Sequence, residues 1–195
     1  MTPERKNRLV TVLQKRQTNI TVVLENVFDP HNISAVLRSC DAIGIQDVYV
    51  LTTRMAPHQR WGYRSSSGAY KWVTVHQFND TKECVDALKK NYERILTTCL
   101  SGDAVNLYEL DFTQSMALVF GNEKNGISEM TAYSDGNFII PQSGMIKSLN
   151  ISVACAVTLY EAYRQKNLAG HYNEPKLPND KINALLHDWG LSEDQ

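Results

Sequence analysis

Residues 141–150 read PQSGMIKSLN and place a surplus of polar groups before the apolar helix that SVACAVTLYEAY predicts. Such a helix needs one cap, which Ser148 or Asn150 alone would supply. The other groups suit a binding site, because hydroxyl and amide side chains offer donors and acceptors and Gly144 permits unusual backbone angles. This loop therefore predicts a polar-lined pocket for a small cofactor.

Two further loops carry residues that suit chemistry. The first, NVFDPHNISAVLR, contains Asn32 and Arg38, and the forked donors of the arginine suit phosphate. The two side chains share a helical face only if Asn32 lies in an irregular first turn, and their spacing leaves this open. The second loop, GNEKNGIS, places Glu123 between two glycines that permit close backbone approach. Taken alone, each loop also fits a structural role, as a surface arginine or a capped turn.

Motifs of hydrolytic or phosphate-binding enzymes are absent from the sequence. It contains no P-loop, no GxGxxG opening a helix, no HExxH and no GxSxG, and no cysteine accompanies a plausible histidine base. His31 and His76 are able to titrate, although a single histidine is more often a hydrogen-bonded structural residue. Hydrolysis through a nucleophile or a metal ion is therefore disfavoured.

The elements that must position these loops alternate between short strands and helices. We predict strands at residues 20–25, 47–51, 72–75, 94–99, 116–120 and 137–140. Cap and proline signals predict helices after Thr2, Asp29 and Asp80, and Gly44 is placed to end the second. Apolar strands alternating with helices are typical of a mostly parallel sheet covered on both faces, so we expect an α/β domain with ligands at the loops that follow the strands. A Pro-rich linker at 173–180 precedes a short tail helix, which we expect to pack on the body or on a second subunit.

Positive charge is concentrated in two segments, although the 195-residue chain has a formal net charge of -1. Residues 1–16 and 48–79 each carry a net charge of +4, and tryptophan and tyrosine alternate with the cations of the second segment. Cations beside flat rings suit phosphate contact and base stacking, although a solvated loop beside a strand fits the same pattern. The candidate RNA contacts are Arg5, Arg8, Arg16, His31, Arg54, Arg60 and Arg64.

The bulk composition fits one domain with a real core, since 43% of the residues are hydrophobic. The four cysteines have no CxxC spacing, so we expect reduced, mostly buried thiols and neither a zinc site nor a disulfide framework. The N-terminus has no apolar signal-peptide region, and no stretch approaches the ~18 apolar residues of a membrane span. These features predict a cytoplasmic protein.

Taken together and in order, three segments resemble the three motifs of the SpoU/TrmH family, a branch of the SPOUT class of RNA methyltransferases. They read NVFDPHNISAVLRSCDAIGIQDVYVL, LVFGNEKNGIS and IIPQSGMIKSLNISVACAVTLYEA. The resemblance implies a methyltransferase domain at residues 20–165, with a deep trefoil knot at about residues 95–165. It implies a homodimer that binds S-adenosylmethionine (SAM) in the knot and RNA at the subunit interface, without a metal ion or DNA. Residues 1–19 and 166–195 then form a basic N-terminal helical extension and a C-terminal extension.

The resemblance also implies roles for individual residues. Arg38 matches the catalytic arginine of the first motif and Asn32 supports the site, while Glu123, Ser148 and Asn150 come from the other two motifs. The implied SAM contacts are Thr98, Cys99, Leu100, Gly121, Asn122, Glu123, Gly126, Ile140, Met145 and Leu149.

The implied reaction is transfer of the SAM methyl group to a ribose 2'-hydroxyl of tRNA. The lengths of the two extensions favour guanosine-18 in the D-loop as the target. A family member that acts on ribosomal RNA or on the tRNA anticodon loop would use the same motifs. The alternative from another class is a non-catalytic RNA-binding factor with this fold, and the joint presence of the five catalytic residues argues against it.

Overall fold

The computed structural model describes residues 2–56, 68–99, 102–122 and 126–190. Within these ranges one sheet contains the strands β1 (Ile20–Glu25), β2 (Asp47–Leu51), β3 (Thr74–Phe78), β4 (Arg94–Thr98), β5 (Val105–Asn106), β6 (Met116–Phe120) and β7 (Gly136–Ile139). The strand order is β3-β2-β1-β6-β4-β7-β5, and each pairing is parallel. The predicted α/β domain is confirmed.

Five α-helices accompany the sheet in the described part of the chain. They are α1 (Pro3–Gln14), α2 (Pro30–Ile43), α3 (Thr81–Asn91), α4 (Ile151–Leu168) and α5 (Asn179–Asp188). Residues of α2 and α4 share a buried apolar cluster with Val22 and Leu24 of β1, whereas α3 packs against Val23 of the same strand. Successive side chains of a strand point to opposite faces, so β1 is buried on both sides and reads as a continuous apolar run.

Helix α2 begins and ends where its sequence signals predict. The side chain of Asp29 accepts a hydrogen bond from the His31 backbone N–H at 2.8 Å, and Pro30 occupies the first helical position. The helix ends at Gly44, whose φ of +88° lies in the left-handed region. A side chain at Gly44 would also meet the carbonyl oxygen of Lys15 at 2.7 Å. These ends fix the helix that carries Asn32 and Arg38.

Two strands differ from the prediction. The third strand was expected at residues 72–75 but runs from Thr74 to Phe78, because tertiary contacts rather than an apolar run define it. His76 stacks on Tyr49 of β2 with ring centroids 4.8 Å apart. The two-residue strand β5 was missed, since so short an element has no periodicity to detect.

The chain interleaves its last strands. From β4 it runs to the edge strand β5, returns to the centre for β6, and then leaves again for β7. This order is compatible with the predicted trefoil knot, which stays a prediction.

None of the four cysteines is paired in the structure, and Cys40, Cys84 and Cys155 are buried, in line with the expectation of mostly buried thiols. Burial raises the pKa of the Cys84 thiol to about 12, so this thiol stays protonated at neutral pH. None of the helices in the described ranges is long and apolar enough to cross a membrane.

Candidate active site

A cavity of about 430 Å³ lies at the carboxyl ends of β4, β6 and β7, beside the amino end of α4. It brings the second and third motif loops together, since both contribute to its lining. The predicted cofactor contacts that line it are Thr98, Cys99, Gly121, Asn122, Gly126, Ile140 and Leu149, and the predicted catalytic residue Ser148 lines it as well.

One of the predicted SAM contacts in the described ranges, Met145, does not line the cavity. Met145 is 99% exposed, because the segment that precedes α4 extends into solvent at this point, and the structure does not place it with the other contacts. Leu100 and Glu123 lie outside the described residues. Glu123 therefore stays a candidate on sequence grounds alone.

Apart from Ile140 and Leu149, the sequence interpretation missed the apolar residues of the lining. Phe120, Ile127 and Phe138 contribute apolar surface, and the rings of Phe120 and Phe138 meet edge to face at 6.3 Å. Gln142 and Lys147 add polar groups from the third loop. Phe120 and Phe138 lie at or near the carboxyl ends of strands, which is the one signal in the sequence that identifies them.

The first loop meets the third through a pair of asparagines. The side-chain amide of Asn150 donates to the Asn32 side-chain oxygen at 3.2 Å. The Asn150 side-chain oxygen also accepts from the Ser152 backbone N–H at 2.8 Å and so caps α4. Asn32 lies in the first turn of α2, and its side chain contacts the third loop through this bond.

Arg38 lies six residues, or about 1.7 turns, further along α2 and is exposed. It does not line the cavity, and in the described ranges no carboxylate forms an ion pair with it. Asn32 and Arg38 therefore occupy different environments, one beside the third loop and the other in solvent. A free guanidinium on this helix is available to an anion brought from outside the chain.

The last residue of β1, Glu25, holds one end of the second loop. Its buried carboxylate accepts from the backbone N–H groups of Ser128 (3.1 Å), Glu129 (2.8 Å) and Met130 (3.3 Å). The Ser128 hydroxyl donates a further bond at 2.5 Å. A buried carboxylate is costly unless its oxygens are paired, so these bonds fix the chain where it leaves the second loop.

The next residue, Asn26, holds the other end of the second loop. Its φ of +52° is left-handed, and its backbone oxygen accepts from the Asn122 side-chain amide at 2.7 Å. Its side-chain oxygen accepts from the backbone N–H groups of Thr53 (2.9 Å) and Arg54 (3.1 Å). Residues 25 and 26 therefore join the second loop to the segment that follows β2.

We expect Glu25→Gln to lower the free energy of unfolding by about 2 kcal/mol or more, because the amide turns an amino group toward backbone donors and leaves them unpaired. Affinity for SAM should fall with it, since the second loop borders the cavity. Urea denaturation and calorimetric titration measure the two effects. Glu93→Gln, an exposed position, is the matched control. A Glu25→Gln protein as stable as this control would contradict the assigned role.

The predicted RNA contacts divide into three groups. Arg5, Arg8 and His31 are exposed. Arg54 is half exposed and pairs with Glu129 at 3.3 Å. Arg60 and Arg64 lie outside the described residues, as do the neighbouring rings at 61 and 63.

The carboxylate of Glu129 anchors the chain after β2. It accepts hydrogen bonds from the hydroxyl of Thr81, from the hydroxyl of Thr53 at 2.7 Å, and from Arg54. These bonds, that of Thr81 first, hold the pKa of Glu129 below its usual value. Arg54 is thus held at the start of the second basic segment.

The prediction that Arg16 contacts RNA is wrong. Its side chain is 0% exposed, and its guanidinium donates to the Asp41 carboxylate at 2.6 Å and to the Trp72 carbonyl oxygen at 2.8 Å. The position at the end of a basic helix suggested a surface cation, but the chain turns inward there. Arg16 is a structural residue.

Comparisons with known proteins agree with this architecture. The model of the SpoU rRNA Methylase family matches residues 19–160. The tRNA (guanosine(18)-2'-O)-methyltransferase of Thermus thermophilus is 41% identical over 190 residues, which are 96% of each chain. The crystal structure of the A. aeolicus TrmH/SpoU tRNA modifying enzyme is similar with a TM-score of 0.88 at 35% identity, covering 95% of this chain and 94% of that one.

A second solved structure is the SpoU methyltransferase AviRb from Streptomyces viridochromogenes in complex with the cofactor AdoMet. It is 27% identical, has a TM-score of 0.69, and covers 80% of this chain and 62% of its own. The family model spans the parallel sheet, the three motif loops and half of α4. The predicted resemblance is thereby confirmed, and the chain belongs to the SpoU rRNA methylase family.

Proposed function

We propose that this protein transfers the methyl group of SAM to a ribose 2'-hydroxyl of tRNA, with guanosine-18 of the D-loop as its target. The observation that carries the proposal is the convergence of three motif loops on one region, through the shared cavity and the bond between Asn32 and Asn150. The likeness to a tRNA (guanosine(18)-2'-O)-methyltransferase over nearly the whole chain, both extensions included, supports the choice of substrate. A tRNA substrate in turn supports a cytoplasmic location.

The residues of the cavity fit SAM. Its volume lies within the usual range for small-molecule sites, and it combines apolar side chains with a few polar groups, such as Thr98 and Ser148. At Gly121 a side chain would clash with the backbone of Gly126 and Ile127, so glycine lets the second loop close against the end of β6 beside the cavity. Backbone groups at the ends of β4, β6 and β7 would hold the cofactor, with Leu149 packing against it. When bound, SAM would supply an electrophilic methyl group and, with its sulfur–methyl bond broken, would leave as S-adenosylhomocysteine.

The chain's own residues then have to orient the hydroxyl, stabilise the charge that develops on its oxygen and exclude water. We assign orientation to Asn32, Ser148 and Asn150, whose polar groups surround the start of α4. Arg38 is unsuited to act as a base, because a guanidinium keeps its protons at every accessible pH. We assign two roles to Arg38: it binds the phosphate beside the target ribose, and it stabilises the negative charge that develops on the ribose oxygen. The hydroxyl proton leaves to that phosphate or to water as the new oxygen–carbon bond forms.

We also propose a homodimer. Large apolar side chains are exposed on α4 and in the segment before it, namely Met145, Ile146, Val153 and Tyr160, and Phe28 is exposed just before α2. Large apolar side chains exposed to solvent are typical of an interface. Association through this face would cover the third loop. Sedimentation equilibrium tests this proposal, which predicts a mass of twice the 22.1 kDa of one chain.

The decisive experiment combines the purified protein with an unmodified tRNA transcript and SAM carrying a labelled methyl group. After digestion, mass spectrometry locates the label. We expect it on the 2'-oxygen of the D-loop guanosine. Label on another nucleotide, or on ribosomal RNA, would keep the reaction and change the substrate. No transfer to either RNA would favour a non-catalytic RNA-binding factor.

Helix α1 supplies the exposed cations for RNA binding. Reversing the charge of Arg5 and Arg8 to glutamate should weaken tRNA binding and flatten its salt dependence by about one unit of slope per lost phosphate contact. Affinity for SAM should not change. Filter binding across a series of salt concentrations measures both quantities.

The matched control reverses Lys89 and Lys90, which are exposed at the end of α3, a helix that packs in a different buried cluster from α1. If the double reversal on α1 changes the salt slope no more than this control does, α1 is not an RNA-binding helix. Arg16 is left unaltered in this test because it is buried.

A further inference from the structure

We propose that residues 177–190, the C-terminal clamp, hold the basic helix α1 in one orientation and so determine where its cations meet RNA, without touching RNA themselves. The RNA part of this inference rests on the proposed function, whereas the clamp itself is testable without RNA. The inference assigns a role to the C-terminal extension.

The clamp and α1 share a small apolar core that is separate from the two cores of the sheet. Leu9 and Leu13 of α1 are buried against Leu177, Leu185 and Trp189 of the clamp. Since α1 is polar on its other sides, it has little apolar surface with which to hold itself to the domain. Burial against the clamp therefore stabilises the position of α1.

A buried arginine locks the end of α1 to the domain, and the clamp covers it. Arg16, two residues after α1, donates to Asp41 at the end of α2 and to the carbonyl oxygens of Ile45 (3.2 Å) and Trp72 (2.8 Å). The ring of Trp189 lies 5.5 Å from the guanidinium carbon and meets the ring of Trp72 edge to face at 5.2 Å. Removing this ring would expose the guanidinium to water and weaken its bonds.

A second contact fixes the clamp itself. The ammonium group of Lys181 on α5 lies 2.7 Å from the carboxylate of Asp47, which also pairs with His76 at 2.9 Å. Asp47 begins β2, so the clamp is anchored to the amino edge of the sheet. The cavity lies at the carboxyl edge, so the clamp is placed to act on α1 rather than on the chemistry.

The charge of the clamp argues against direct contact with RNA. It contains Asp180, Asp188 and a single cation, Lys181, which is already paired. A segment of net negative charge repels phosphate. Arg5, Lys6 and Arg8 are exposed on α1, Lys15 is exposed just after it, and Lys176 is exposed just before the clamp but outside it. The clamp therefore acts through α1.

The first test measures hydrogen exchange of the α1 amides in the free protein. We expect Trp189→Ala to speed exchange in α1 at least tenfold and to leave α2 and β1 unchanged. Trp189→Phe, which keeps an aromatic ring, should restore most of the protection. Asp188→Asn, at the exposed neighbouring position, is the control. Unaltered exchange of α1 in the Trp189→Ala protein would overturn the proposal.

The second test measures tRNA binding. Trp189→Ala should weaken it about tenfold through lost preorganisation, with SAM affinity unchanged. The same change should cost little in a protein that already carries Arg5→Glu and Arg8→Glu, because the clamp acts through these cations. An equal loss in both backgrounds would mean that the tail contacts RNA directly, which overturns the proposal.

A second variant and an RNA-independent measurement keep the tests decisive. If Trp189→Ala does not fold, Lys181→Met removes the anchor to Asp47 without opening the apolar core, and faster exchange of α1 is again the expected result. If the protein binds no tRNA at all, the proposed function fails while the exchange experiment still decides whether the clamp exists.

Discussion

Replacing Arg38 by lysine should slow methyl transfer about a hundredfold, a loss comparable to that of one charge-stabilising donor in other active sites. Lysine keeps the positive charge and a similar length but loses the planar fork that binds two oxygens at once. Arg38 is exposed and unpaired among the described residues, so neither folding nor the cavity depends on it. Stability and SAM affinity should therefore stay as they are.

The measurement is a single-turnover rate with saturating tRNA and SAM, which separates chemistry from binding and product release. Arg94→Lys is the matched control, because Arg94 is an exposed arginine at the amino end of β4, away from the cavity. Arg38→Ala should be slower still than Arg38→Lys. Near-normal turnover of the lysine variant would show that the positive charge alone suffices. It would contradict the role assigned to the planar guanidinium.

Local signals in the sequence were sufficient for most of the fold. The Asp29–Pro30 pair and Gly44 delimit α2, and the apolar runs of β1 and β6 identify central strands, because each signal acts within a few residues. The strand β3 was misplaced because it is held by partners on another strand, such as Tyr49. Elements that depend on distant contacts leave no periodicity to read.

The site was predicted in part, for a related reason. Polar surplus identified the third loop, and the resemblance to a family identified Asn32, but the bond from Asn150 to Asn32 joins residues 118 positions apart. Arg16 shows the opposite failure, since a cation in a basic segment is usually exposed and only the tertiary fold reveals its burial. The role of Glu25 could not be predicted from the sequence either, because it depends on backbone N–H donors that only the folded structure brings to its carboxylate.

The structure requires glycine at Gly121 but not at Gly144, a difference that the sequence does not show. Gly144 has open space around it and no left-handed φ. The structure therefore does not require glycine at this position, contrary to the expectation from the sequence. Gly121 lies where the second loop closes on itself, through mutual backbone bonds between Asn122 and Gly126 of 2.8 and 2.9 Å. A Cβ at Gly121 would lie 2.3 Å from the backbone of Gly126 and Ile127.

Gly121→Ala should therefore abolish most SAM binding, lowering affinity by more than tenfold, which corresponds to about 1.4 kcal/mol. The clashing atoms are backbone and cannot rotate away, so the second loop must move as a whole and carry Asn122 out of the cavity lining. The same strain should lower the free energy of unfolding by about 1–3 kcal/mol. Calorimetric titration with SAM and urea denaturation measure the two effects.

Gly144→Ala is the matched control, because it adds the same methyl group to another loop of the site without a clash. We expect its SAM affinity and its stability to equal those of the unaltered protein. Equal behaviour of the two variants would mean that the second loop tolerates a side chain at Gly121, and the close approach of its backbones would then not shape the cavity. A loss confined to Gly121→Ala would instead show that the close approach of the second loop to the end of β6, which only glycine permits there, shapes the cavity for the cofactor.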